Sequence, residues 1–338
     1  MNATELPKVE LHLHLDCSLS YRAVSQLAPG VTRDEYFRDY VAPSRCTNLA
    51  DFLKRAPKGI ALMQDRPSLT LVTEDLFHQL QADRIVYAEI RFAPLLHTER
   101  GLTSAQVVEI VNHAVDRMSS ETGIEVRLIL CTLRHFDEEQ SLKTTRLVDT
   151  FRGSRVTALD LAGDEAGFPI TAHIKAYEYA QHHNLFRTAH AGEALGPESV
   201  WETLRLLNPT RIGHGTRSIE DPALVQYLRQ NRVHLELCPS SNVQIIPSIA
   251  DLAHHPIDKL YRSDVSLNIN TDTRMLTPTT LTREYEEVHR VFGWSREEFY
   301  RTNLMAVEAA FVDEATKARL RHRLALVYDD VPGSVESY

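Results

Sequence analysis

The feature that most constrains this fold is a recurrence. Short apolar runs rich in β-branched residues alternate with longer amphipathic stretches along the chain. Eight such runs lie near Val9–His14, Val86–Phe92, Glu125–Cys131, Val156–Leu161, Phe186–His190, Arg211–His214, Val233–Cys238 and Asp264–Asn268. Several are almost continuously apolar, as expected of strands buried on both faces of a parallel sheet. Stretches between them, such as Ser104–Ser119, Ile170–His183, Pro197–Leu207 and Pro222–Gln230, read as helices. Ala223, Leu224, Tyr227 and Leu228 have the spacing of one helical face. Eight strands alternating with helices predict an α/β chain closed into a (β/α)8 TIM barrel, one domain over 1–338. A doubly wound sheet is the competing arrangement. However, neither G-x-G-x-x-G nor G-x-x-x-x-G-K-[ST] follows any of the runs.

About 70 residues separate the first two runs, and patterned stretches at Asn48–Leu62 and Val72–Ala82 fill part of that gap. An insertion after the first strand of a barrel lies at the carboxyl ends of the strands, where barrel active sites are built. It is expected to be a helical cap over the site. Ser295 to about Val327 reads as further helix.

The formal charge of −9 argues against a nucleic-acid partner, which needs clustered Lys and Arg. No apolar stretch approaches the roughly 20 residues of a membrane span. Met1 to Lys8 lacks the regions of a signal peptide. Cys17, Cys46, Cys131 and Cys238 show no C-x-x-C spacing and suggest reduced thiols in a cytoplasmic protein. The expected partner is a small molecule, with no nucleic acid and no membrane; the sequence leaves the oligomeric state open.

The chemistry begins in Lys8-Val9-Glu10-Leu11-His12-Leu13-His14-Leu15-Asp16. Residues two apart on a strand share a face, about 6–7 Å from one another. His12 and His14 can therefore share one metal ion, and imidazole suits Zn²⁺. Taken alone, the pair is equally a half-buried strand with histidine at its polar positions. Three further clusters follow later runs: Thr188-Ala189-His190-Ala191-Gly192-Glu193, Arg211-Ile212-Gly213-His214-Gly215-Thr216, and Asn268-Ile269-Asn270-Thr271-Asp272. In a barrel those ends converge on one pocket. His12, His14, His190 and Asp272 are then expected to hold Zn²⁺ with a position left for water, whose pKa falls from about 16 towards about 7. Glu193 is placed to shuttle protons and His214 to orient or stabilise the attacking oxygen. Asp272 can both ligate and accept a hydrogen bond. The fourth run, Val156-Thr157-Ala158-Leu159-Asp160-Leu161, supplies no bridging lysine, which argues for one metal per subunit. His97, His135, His234, His254 and His255 read as structural or solvated.

These residues, with Tyr87-Ala88-Glu89-Ile90-Arg91-Phe92-Ala93-Pro94, Asp160-Leu161-Ala162-Gly163-Asp164-Glu165 and Glu236-Leu237-Cys238-Pro239-Ser240-Ser241-Asn242, resemble the adenosine deaminase family of the amidohydrolase superfamily over nearly the whole chain. The resemblance implies a zinc hydrolase that deaminates a 6-aminopurine nucleoside, first adenosine or 2′-deoxyadenosine. It makes His12, His14, His190 and Asp272 the metal ligands. Glu193 becomes the acid that protonates the purine, and His214 the histidine beside the hydroxide, so that Glu193, His214 and Asp272 are the catalytic set. Asp16, Gly163, Thr273 and His14 become the substrate-binding set. Gly163 offers its N–H to the purine, and Asp16 stands near the ribose; adenine-specific relatives tend to carry Glu there. Two departures stand out. Thr273 replaces the family's second aspartate, and Arg274 follows it, a residue that can pair with an acidic substrate group if it points into the cleft and is otherwise a solvated loop charge. Cys17 replaces a common glycine and reads as packing. The alternatives are a deaminase of aminodeoxyfutalosine or of adenine and, in another class, a non-catalytic nucleoside-binding relative.

Overall fold

The computed structural model describes residues 2–328. Its strands are β1 (Lys8–His14), β2 (Ile85–Phe92), β3 (Glu125–Leu133), β4 (Val156–Ala162), β5 (Phe186–Ala191), β6 (Arg211–His214), β7 (His234–Leu237) and β8 (Leu267–Ile269). All pair in parallel, in the order β1 to β8. The barrel closes beyond β8. His14 N–H donates to Asp272 O at 2.8 Å, and Asp272 N–H to His12 O at 3.1 Å. The Asn270 side-chain oxygen accepts from Leu11 N–H at 2.8 Å. This seam brings Asp272 to the two histidines of β1. The eighth strand starts later than the expected Asp264 because Asp264, at φ 61°, still belongs to the turn leaving the preceding helix.

The lumen is polar, which the reading of apolar runs did not anticipate. Along β1, Lys8, Glu10 and His12 alternate with Val9, Leu11 and Leu13, and all are fully buried. The apolar set packs under the helices, as the period of two requires. The polar set faces inward: Arg91 on β2 reaches Asp160 on β4 at 3.0 Å and Glu236 on β7 at 2.6 Å. Arg211 on β6 pairs with Glu89 and Glu236.

Between β1 and β2 the chain forms helices Tyr21–Leu27, Arg33–Asp39, Leu49–Leu53, Ala56–Ile60 and Arg66–Ala82. Asp65 and Ser68 form a capping box that starts the last of these, with Pro67 in its first turn. The insertion is laced to loops at the carboxyl ends of the barrel. Ala42 N–H donates to Leu276 O at 3.0 Å, and Cys46 N–H to Gln244 O at 2.9 Å. It is the expected helical cap.

The expected C-terminal helix is two, Arg296–Ala309 and Glu314–Tyr328. The break lets Phe311 N–H reach Glu89 Oε1 at 2.7 Å, while Asp313 caps the second helix through Thr316 N–H at 2.8 Å. In Pro222–Gln230 only Leu224 and Leu228 are buried. Ala223 is exposed, and Tyr227 lies outside the core with its ring 5.0 Å from that of Trp201. No helix among the described residues is long and apolar enough to cross a membrane.

Candidate active site

His12, His14, His190 and Asp272 come together at the carboxyl ends of β1, β5 and β8, with one donor atom from each inside a 4.8 Å group. His14 Nε2 lies 3.2 Å from His190 Nε2. Asp272 Oδ1 lies 3.4 Å from His12 Nε2 and 3.5 Å from His14 Nε2. Each of these ligand candidates except His14 is held from behind. His12 Nδ1 pairs with Glu236 Oε2 at 2.8 Å, His190 Nδ1 with Asp160 Oδ1 at 3.2 Å, and Asp272 Oδ2 accepts from Ser241 Oγ at 2.7 Å. Such outer partners fix ring orientation and leave the other nitrogen facing the centre. Gly213 makes room for two of them, since a Cβ there would stand 3.0 Å from His12 Cε1 and 3.2 Å from His190 Nδ1.

The residues present fit a cation. His12 Nε2 is buried and has no hydrogen-bond partner among the described residues. Burial pushes the pKa of His14 down to about 3 and lowers that of His190, whereas at His12 burial is outweighed by Asp272 and Glu236, which raise it. Burial opposes the charge of Asp272, yet the His12 ring, its Nε2 3.4 Å away, and the surrounding imidazoles hold its carboxyl well below the usual carboxylate range. His12, His214 and Cys238 also lie close together. Burial pushes the Cys238 thiol well up.

Glu193, His214 and Asp272 form a second group within 4.8 Å. Glu193 Oε1 lies 3.5 Å from His214 Nε2. Burial first, then the charges of Asp272 and Glu165, push the Glu193 carboxyl well up. His214 and Asp272 both take positive φ, 60° and 64°, a conformation uncommon for non-glycine residues.

The sequence reading quoted Glu165 but gave it no role. Its carboxylate accepts from the N–H groups of Gly192 at 2.7 Å, Glu193 at 3.1 Å, Ala194 at 2.6 Å and Leu195 at 3.0 Å, and from Ser199 Oγ at 2.5 Å. It thereby shapes the loop that carries Glu193. Ser241, Asp160, Glu236 and Arg91 were likewise quoted without a role.

Among the expected substrate-binding residues, Asp16 is buried and accepts from Ala93 N–H at 3.1 Å, with His97 Nε2 3.8 Å away. Burial opposes its ionisation, but His97, His14 and that N–H together lower its pKa. Gly163 follows β4 at φ 98°, beside Arg134, whose guanidinium donates to His190 O at 2.9 Å. Thr273 Oγ1 is buried without a partner among the described residues. Arg274 is the correction: it is neither in the cleft nor solvated. Its guanidinium is buried between Glu10 Oε2 at 2.7 Å and Asp83 Oδ2 at 2.8 Å. Two buried carboxylates require a cation, and Arg274 is drawn to them.

An eight-stranded parallel barrel with three imidazoles and a carboxylate gathered at its strand ends is an amidohydrolase-type hydrolase. A family model described as adenosine deaminase matches residues 7–327, and the chain belongs to that family of hydrolytic deaminases. It is 34% identical over 326 residues to the adenosine deaminase of Clostridium acetobutylicum, covering 94% of this chain and 97% of that one. Among solved structures, the adenine deaminase of Arthrobacter aurescens superposes with a TM-score of 0.87 at 26% identity, over 96% of this chain and 98% of that one. The Arabidopsis N6-mAMP deaminase does so with a TM-score of 0.85 at 26% identity, over 97% and 99%. Within this class, purine deamination is the shared chemistry.

Proposed function

We propose that the chain acts as one hydrolase domain that binds a single Zn²⁺ through His12, His14, His190 and Asp272. It converts adenosine or 2′-deoxyadenosine to inosine or 2′-deoxyinosine with release of ammonia. The observation that carries this reading is the sharing of Asp272 by two groups, a metal-donor set and the pair of Glu193 and His214. Imidazole and carboxylate donors in this number suit zinc. Held by these four residues, zinc would supply the acidification of water, to a pKa of about 7, that hydrolysis at neutral pH needs.

The chain's own residues do the rest. Glu193 gives its proton to a ring nitrogen of the purine, which draws electrons from the carbon bearing the amino group. His214 steadies the oxygen arriving at that carbon. Gly163 N–H meets the purine, Asp16 accepts from a ribose hydroxyl, and the free Thr273 hydroxyl faces the imidazole edge. His14 stands on the substrate side of the metal-donor set. The reading as a deaminase of aminodeoxyfutalosine loses its motive, because Arg274 is committed to Glu10 and Asp83. Four buried cysteines, none paired with another, suit a reducing cytoplasm.

The test is ammonia release by zinc-reconstituted protein on adenosine, 2′-deoxyadenosine, adenine, AMP and aminodeoxyfutalosine at matched concentrations. Efficient turnover of the two nucleosides is expected. Silence on both with turnover of another substrate overturns the specificity. Silence on all five overturns catalysis in favour of nucleoside binding.

A further inference from the structure

A line of buried polar groups runs from the backbone at Ile257 to His214. Ile257 N–H donates to His255 Nδ1 at 3.1 Å. A backbone N–H can only donate, so His255 Nδ1 accepts and the ring proton sits on Nε2. Burial, which pushes the pKa of His255 down to about 3, keeps that ring neutral. His255 Nε2 lies 3.2 Å from Asn242 Oδ1, which also accepts from Thr216 Oγ1 at 2.7 Å. With the His255 N–H on that side, Asn242 must present its carbonyl oxygen there and its NH2 on the other. The NH2 lies 3.1 Å from His214 Nδ1. It too can only donate, so His214 Nδ1 accepts and its proton belongs on Nε2. That nitrogen is the one 3.5 Å from Glu193 Oε1, on the reaction side. His255, Asn242, Thr216 and His214 are all at most 2% exposed, so bulk water offers none of them a substitute partner.

We infer that Asn242 and His255 are positioning residues that fix His214 in its Nε2–H tautomer, making it a hydrogen-bond donor to the reaction centre. The inference rests on the deaminase reading only for the use made of that N–H; the tautomer itself stands apart from turnover. In this tautomer Nε2 has no lone pair with which to take a proton. Acceptance of a proton at this face then falls to a group other than His214. Asn242 follows Ser241, the residue that donates to Asp272, so one short helix after β7, Pro239–Ile245, supports two neighbouring members of the site.

The experiment is nitrogen NMR of zinc-loaded protein with ¹⁵N-labelled histidine, with His214 assigned by its loss in His214→Gln. In the unaltered protein a protonated Nε2 and an unprotonated Nδ1 are expected for His214. Asn242→Asp keeps the side-chain shape but offers an acceptor where the NH2 stood. The proton should move to Nδ1, and kcat should fall about 100-fold, as for loss of one aimed donor, with KM within about threefold. His255→Phe frees the amide to turn and should give mixed tautomers with a smaller loss. A proton on Nδ1 of His214 in the unaltered protein overturns the inference, whether or not the variants fold. So does an Asn242→Asp protein that keeps Nε2–H and turns over within about twofold of the parent. If the unaltered protein shows Nε2–H yet deaminates nothing, the tautomer holds and the functional reading fails instead.

Discussion

Arg274 and Asp272 stand two residues apart in the chain, and each sits in a buried cluster of charges. Around Arg274, the guanidinium meets Glu10 and Asp83, and the remaining carboxylate oxygens are taken up. Glu10 Oε1 accepts from Thr271 N–H at 2.9 Å, and Asp83 from Leu281 N–H at 2.9 Å and Thr282 N–H at 3.2 Å. Lys8 closes the group by donating to Asp83 O at 2.8 Å. Around Asp272, a carboxylate faces imidazoles, burial lowers the pKa of His14 and His190, and His12 Nε2 has no hydrogen-bond partner among the described residues. The first cluster matches a guanidinium with two carboxylates, although Arg274 Nη1 meets Asp83 as an ion pair without a hydrogen bond among the described residues, and it ties the loop after β8 to β1 and to the end of the helix Arg66–Ala82. The second gathers three imidazoles and one carboxylate with a donor atom from each inside a 4.8 Å group, a set that suits a cation. Proximity in sequence to a site therefore does not assign a role; what each polar atom lacks does.

The comparison breaks first on metal removal. Chelation should abolish ammonia release, and Zn²⁺ should restore it. Loss of an ion present at about a thousand times its Kd should cost about 4 kcal/mol of folding stability, visible as a Tm several degrees lower. Full turnover by protein shown metal-free would leave the Asp272 cluster no different in kind from that of Arg274. Next in size, Glu193→Gln should lower kcat by about 10²–10⁴-fold, since it removes an acid without a ligand. Metal content by atomic absorption should be unchanged, and near-normal turnover in the loaded variant would sink the assigned role.

Arg274→Met sharpens the other side. Leaving Glu10 and Asp83 buried without their cation should cost about 3–5 kcal/mol in chemical denaturation. The ratio of adenosine to AMP turnover should stay the same, because the guanidinium never meets substrate. A stable variant with a changed ratio would put Arg274 back in the cleft.

What was legible in the sequence follows the same physics. The gathering of His12, His14, His190 and Asp272 could be read because strand periodicity places His12 and His14 on one face, and because barrel closure brings strand ends together whatever the details. The nearness of Glu193 and His214 to Asp272 could be read for the same reason. The residues behind them could not. That Glu236 on β7 serves His12 on β1 depends on which lumen positions face each other across the barrel, and nothing local in Glu236-Leu237 encodes it. Glu165 looks like a loop charge until five donors are seen converging on it. Arg274 was misread because its direction is set by Glu10 and Asp83, distant in sequence and joined to it only by the fold. His255 was set aside as structural; it is so, and it still governs His214.

Thr273 carries the smallest expected effect and the most diagnostic one. Its hydroxyl is buried beside Asp272 with no partner among the described residues, and such a group costs about 1–3 kcal/mol of stability. Valine has nearly the same shape without that cost. Thr273→Val should therefore raise folding stability by about 1 kcal/mol, read as a shifted denaturation midpoint. If the hydroxyl is kept for the purine, the same change should lower kcat/KM for adenosine about tenfold, the worth of one hydrogen bond of about 1.4 kcal/mol. The two measurements must move in opposite directions. A gain in stability with unchanged kcat/KM would mean that the hydroxyl meets no substrate, and a loss of stability would mean that it has a partner within the fold.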